Sequence, residues 1–168
     1  ADGSEAEMCG NGARCAALWL NSQLKTPSSQ LTLETKAGII KAYVFGDEVK
    51  IKLTDPKDIR LDIPLKVNTK VIKVNFINTG VPHAVIFVDG LEKIDIVYLG
   101  RLIRYHKQFL PAGTNVDFVE ILKDRFLKVR TYERGVEDET LACGTGSVAS
   151  ALIYALKAKL DGKIAVQT

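Results

Sequence analysis

Two short stretches hold the residue types that can do chemistry, Cys9-Gly-Asn-Gly12 and Cys143-Gly-Thr-Gly146, and each opens into a long apolar run. A Cys-Gly-x-Gly turn at a helix start sets a thiol beside unpaired backbone N–H groups and the positive end of the helix dipole. Glycine lets an anion approach the backbone with no Cβ in the way. Both turns are therefore expected anion cradles. A thiol in that position has its pKa lowered and is expected to act as acid or base near neutral pH. Two such cradles facing one cleft can hold one carboxylate between them. Two thiols, one charged and one neutral, can then flank the bound carbon. One takes its proton while the other gives a proton to the opposite face, and a stereocentre inverts. A lone free cysteine is more often a packing residue; the matched pair is what favours chemistry.

The third cysteine, Cys15, has no counterpart, since the equivalent position in the second copy is Ala149, and it is expected to be core. There is no C-x-x-C and there are only two histidines, so no metal site is expected. Gly144-Thr-Gly-Ser-Val-Ala149 also fits the dinucleotide pattern G-x-G-x-x-A. That pattern needs an apolar strand before it, and the residues before it are the acidic Glu137-Asp-Glu-Thr-Leu-Ala142, so a nucleotide site is not expected.

The elements that position these turns are short. The pattern predicts a helix over 9–24, apolar nearly all round and therefore buried. Strands are predicted at Leu31–Thr35, Ile39–Phe45 and Val49–Leu53, with a hairpin turn at Gly46-Asp-Glu. Thr54–Lys70, with Pro56, Pro64 and many charges, reads as a linker. Beyond it come strands at Val71–Asn78, Ala84–Val88, Thr114–Leu122 and Phe126–Tyr132 and an amphipathic helix over Ile96–Phe109. A second all-round apolar helix covers 146–160. Each half thus holds short strands and one helix that starts at a Cys-Gly-x-Gly turn. The expected fold is α+β, with two pseudo-symmetric half-barrel domains, each a curled sheet around a central helix. Residues 1–55 are assigned to the first domain and 70–168 to the second.

The chain has 168 residues, 46% hydrophobic and 26% charged, with a net charge of +3. That supports a real core and gives no concentrated basic stripe for nucleic acid. Arg101–Lys107, the densest basic stretch, reads as the wet face of a helix. No apolar run approaches a membrane span and no signal peptide pattern is present. Three cysteines without a secreted-type spacing point to free thiols and a cytoplasmic location. The opening Ala-Asp-Gly and the closing Lys163–Thr168, which reads as a strand cut short, suggest a piece of a longer protein.

Six stretches carry a resemblance. Ala1-Asp-Gly-Ser-Glu5, Cys9–Cys15, Val81-Pro-His83, Gly113–Phe118, Glu133-Arg-Gly135 and Glu139–Gly146 follow the order found in diaminopimelate epimerases and cover the whole chain. The resemblance implies a PLP-independent epimerase that interconverts LL- and meso-diaminopimelate on the route to lysine and peptidoglycan, working as a homodimer. It implies Cys9 and Cys143 as the acid–base pair. His83 and Glu133 then set the thiol protonation states. Gly10, Asn11, Asn115, Glu133, Arg134, Gly144 and Thr145 contact the substrate. Arg134 suits a distal carboxylate, gripped by two parallel hydrogen bonds. The chain departs from the family at Val81, where many members have a substrate-touching Asn, and in the loop Val136-Glu-Asp138. Contacts expected upstream of Ala1 are absent, so this chain is expected to bind substrate weakly. Two further readings stand beside this one: a proline or hydroxyproline racemase-like relative, and a ligand-binding module with non-catalytic thiols. Two thiols across one cleft are also expected to close as a disulfide on oxidation, which would stop proton transfer.

Overall fold

The computed structural model describes residues 8–26 and 28–168. The Ala1–Glu5 stretch and Pro27 lie outside the described residues. Helix α1 (Gly10–Gln23) comes first. Strands β1 (Gln30–Thr35), β2 (Gly38–Phe45) and β3 (Glu48–Lys52) follow and form an antiparallel meander in the order β1-β2-β3. Gly46, at φ 60, opens the two-residue turn between β2 and β3.

A seven-stranded sheet makes up the rest. Its path is β10 (Ala165–Gln167), β8 (Phe126–Glu133), β7 (Asn115–Lys123), β6 (Pro82–Phe87), β5 (Lys70–Asn78) and β4 (Lys57–Val67), with β9 (Asp138–Thr140) paired to β8. The β6–β7 and β10–β8 pairs are parallel. Parallel neighbours need a crossover, and helix α2 (Ile96–Arg104) lies on the one between β6 and β7. Helix α3 (Gly144–Ala158) packs on the opposite face. The architecture is α+β, with two half-barrel sheets and one Cys-headed helix against each.

Period-two alternation divides the larger core. Val74, Phe76, Ala84, Ile86, Val116, Phe118 and Tyr132 meet Ile96 and Ile103 on the α2 side. Ile77, Val85, Val119, Leu127 and Val129 meet Ala149, Ile153 and Tyr154 on the α3 side. Gly100 lets α2 lie flat on β8, because a Cβ there would come within 2.5 Å of Tyr132.

Four expectations need correction. The supposed linker Thr54–Lys70 contains the eleven-residue strand β4. Its one proline, Pro64, and its charges are those an edge strand tolerates, since one side of it needs no partner. Asp58 and Asp62 have positive φ, and the register with β5 shifts on either side of Arg60. The first helix is not buried all round: only Gly10, Ala13 and Ala17 are, while Trp19 is 63% exposed. Cys15 is exposed as well and is not core. A three-stranded sheet covers one face of α1 and leaves the other bare. The amphipathic helix ends at Arg104 rather than Phe109, and Lys107–Phe109 forms a separate short turn. The remaining predicted strands are present with ends shifted by a residue or two.

Candidate active site

Both helices start directly after their cysteine. Cys9 is the N-cap of α1 and Cys143 the N-cap of α3, each in extended backbone conformation. Cysteine is not among the residues that favour this position. The carbonyls take the first helical bonds, Ala13 N–H donating to Cys9 O and Ser147 N–H to Cys143 O, both at 2.9 Å; only Cys9 also caps with its side chain, which accepts from Gly12 N–H. The two helix starts meet. A Cβ on Gly10 would lie 3.7 Å from the Cα of Gly144, and one on Gly144 would lie 3.8 Å from the Cα of Gly10. Asn11 Nδ2 donates across the junction to Ala142 O at 3.4 Å, and Asn11 Oδ1 accepts from Arg14. The tertiary fold thus brings together Gly10 and Gly144, 134 positions apart in sequence.

The two thiols have unlike surroundings. Cys9 is exposed and its Sγ accepts from Gly12 N–H at 3.4 Å. Cys143 is buried and lies 3.4 Å from Thr145 Oγ1. Burial, reinforced by the negative charges of Asp117 and Glu133, pushes the Cys143 thiol up to about 12 against the pull of its Thr145 hydrogen bond. That reverses the expected lowering for this cysteine. Desolvation of a thiolate outweighs the attraction of the helix N-terminus.

Behind Cys143 runs a row of buried polar groups. His83 Nε2 is 2.9 Å from Thr145 Oγ1, and His83 Nδ1 is 2.7 Å from Asp117 Oδ2. Thr131 donates to Asp117 Oδ1 at 2.8 Å, and Thr79 donates to Thr145 O at 3.2 Å. His83, Asp117 and Thr131 sit on β6, β7 and β8, where Val85 pairs with Asp117 and Asp117 with Thr131. His83 therefore reaches Asp117 along the diagonal of the β6–β7 pair. The sequence reading missed Asp117 and Thr131. The signal was there: Asn115 and Asp117 alternate with Val116 and Phe118, so two polar side chains share the face that should have been apolar.

The other expected residues divide. Glu133 is half-buried and accepts from Thr140 Oγ1 at 2.6 Å. The Asn115 carboxamide is largely engaged by backbone: Nδ2 donates to Pro82 O at 3.1 Å, and Oδ1 accepts from Arg134 N–H at 2.8 Å. It pins three chain segments at the sheet end. The Arg134 side chain reaches Ala112 O at 3.3 Å and lines a cavity of about 520 Å³ with Lys36, Lys57, Arg60, Pro82 and Gly113. Neither cysteine lines that cavity. Val81 is buried with Met8, Ala13 and Ile40 where α1 and its sheet meet the larger sheet. In the loop after β8, Glu137 has positive φ, and its carboxylate accepts from Gly135 N–H, Arg104 and Tyr132.

A sequence model described as diaminopimelate epimerase matches residues 75–168. The chain belongs to the diaminopimelate epimerase family. Over 164 residues it is 48% identical to the diaminopimelate epimerase of Aquifex aeolicus, covering 96% of this chain and 58% of that protein. The Hydrogenobaculum relative is 50% identical over 152 residues, which is 89% of this chain and 54% of its own length. The chain thus spans a little over half the length of these epimerases. Among solved structures, a hydroxyproline epimerase from Agrobacterium vitis with bound trans-4-hydroxy-L-proline matches with a TM-score of 0.71 at 17% identity. That match covers 92% of this chain and 54% of the other. A probable proline racemase from Agrobacterium radiobacter matches with a TM-score of 0.69 at 20% identity, over 94% and 54%. At such identities the likeness is one of fold.

Proposed function

We propose that this chain carries the reacting centre of a PLP-independent epimerase that interconverts LL- and meso-diaminopimelate. The observation that carries the reading is the meeting of two cysteine-capped helices at Gly10 and Gly144. Two helix N-termini converging on one spot favour a carboxylate there, with a thiol on each side of the carbon it bears. Burial of Cys143 beside Asp117 and Glu133 favours its neutral thiol at rest, and so the role of acid. Cys9, open to solvent, takes the role of base. Each exchanges roles when the reaction runs backwards. Glu133 and His83 govern the protonation of the pair. Gly10, Asn11, Gly144 and Thr145 bind at the reacting end. Arg134, among the basic residues of the cavity beyond Asn115, takes the distal carboxylate. The names of the relatives support diaminopimelate as the substrate. A place on the route to lysine and peptidoglycan, in the cytoplasm and as a homodimer, belongs to the same reading. Residues 1–55 and 70–168 are read as parts of two domains that share the site.

The test is loss of the α-proton NMR signal of LL-diaminopimelate in D₂O. It is run on the 168-residue chain and on the same chain joined to the flanking segments of the Aquifex aeolicus relative. Exchange in the fused protein that disappears in both Cys9→Ser and Cys143→Ser supports the reading. Exchange that survives either substitution overturns it, and exchange on proline instead moves the chain to the racemases.

A further inference from the structure

The polar row behind Cys143 is more than a satisfied core. A cysteine, a threonine, a histidine and an aspartate follow one another at 3.4, 2.9 and 2.7 Å, and His83 and Asp117 have no solvent exposure. Such a row has one consistent hydrogen-bond direction when Asp117 is ionised. The carboxylate accepts only, so His83 must donate through Nδ1. In the neutral ring Nε2 is then an acceptor, and it takes the Thr145 hydroxyl proton. Thr145 Oγ1 is left with lone pairs that face the Cys143 thiol. Thr131 donates to the other oxygen of Asp117 at 2.8 Å, which fixes the carboxylate plane. Gly146 makes room for it, because a Cβ there would lie 2.3 Å from Asp117 Oδ1.

We propose that Asp117 is a positioning residue of this site, holding His83 with its proton on Nδ1 so that Nε2 and the Thr145 hydroxyl form a buried proton path to Cys143. The proposal rests on the two-thiol reading above and adds to it how the enclosed thiol loses and regains its proton. In the forward step the Cys143 S–H bond breaks and a bond to Thr145 Oγ1 forms. The original Thr145 proton passes to His83 Nε2. The products are a thiolate and an imidazolium that still donates to Asp117 through Nδ1. The reverse step restores the thiol, and no charge leaves the row. Among the described residues, the charged or titratable groups around Cys143 include Asp117 on β7, His83 on β6, Glu133 at the end of β8, Cys9 at the facing helix start and Arg14 on α1, whose Nη1 is 3.9 Å from where a Gly144 Cβ would stand.

Two measurements on the 168-residue chain test this without substrate. The chain has only two histidines, so ring ¹⁵N spectra of the wild type and of His106→Gln identify His83. The expected state at neutral pH is the Nδ1–H tautomer, and a proton on Nε2 overturns the proposal. The second measurement is the alkylation rate of Cys143 at pH 9 in a Cys9→Ser, Cys15→Ser background. If Asp117 acts on Cys143 only by charge repulsion, Asp117→Asn speeds alkylation. If Asp117 anchors the path, Asp117→Asn slows it several-fold. Should Asp117→Asn fail to fold, Thr145 serves instead. Thr145→Val is expected to slow alkylation as much, and Thr145→Ser to match the wild type; equal rates in all three overturn the proposal. A chain with this tautomer and these rates but no substrate exchange keeps the path and sinks the epimerase reading. The opposite pattern removes only the path.

Discussion

Gly12 and Gly146 hold the same place in the two turns but meet different neighbours. A Cβ at Gly12 would touch Cys9 at an ordinary 3.5 Å, whereas one at Gly146 would drive into Asp117 at 2.3 Å. Replacing a helical glycine by alanine where there is room gains roughly 0.5–1 kcal/mol. Overfilling a packed site costs about 1–3 kcal/mol. Gly12→Ala is therefore expected to stabilise the chain and Gly146→Ala to destabilise it, as read by urea denaturation. The cysteines are expected to differ in the same way. At pH 7, iodoacetamide should label the exposed Cys9 and Cys15 well before the buried Cys143, as followed by peptide mass mapping. The raised Cys143 pKa also has a stability consequence. A group held protonated in the fold contributes stability that is complete below its unfolded pKa near 9 and is lost as pH climbs towards 12. Wild type should lose stability over that window faster than Cys143→Ala.

At the scale of elements, α1 and α3 look alike in composition and behave differently. Both begin with a cysteine turn and run through alanine and leucine, yet α3 lies against five strands and α1 against three. Ile153 of α3 is fully buried, and Ile153→Ala should cost roughly 2–5 kcal/mol. Trp19 of α1 stands in solvent, so Trp19→Arg should change the stability of this chain by less than about 0.5 kcal/mol. Chemical denaturation of the two variants side by side checks the contrast. The strand β4 gives the converse lesson. Prolines and charges announce a loop when the chain is read alone, but at a sheet edge they are harmless and even protective. Nothing local distinguishes the two cases, because the deciding partner, β5, contributes the hydrogen bonds.

At the scale of the whole molecule, the site exists only because the small sheet with α1 is seated on the large sheet. Val81 is part of that seat, buried with Met8, Ala13 and Ile40. Val81→Asn, which introduces the residue many family members carry, would bury an amide among apolar side chains. It should cost about 1–3 kcal/mol in denaturation and loosen the meeting of Gly10 with Gly144. By itself the sequence determined the two cysteine turns, the helices they start, most strands and the family, because these depend on local patterns of apolar, glycine and turn residues. Tertiary structure alone decided which thiol is enclosed, that Asp117 and Thr131 stand behind His83, that Asn115 is engaged by backbone, and that Val81 packs with Met8, Ala13 and Ile40. Each of those turns on which distant residue lies within hydrogen-bond or van der Waals reach, and that distance is set by how the sheets and helices pack, not by spacing along the chain.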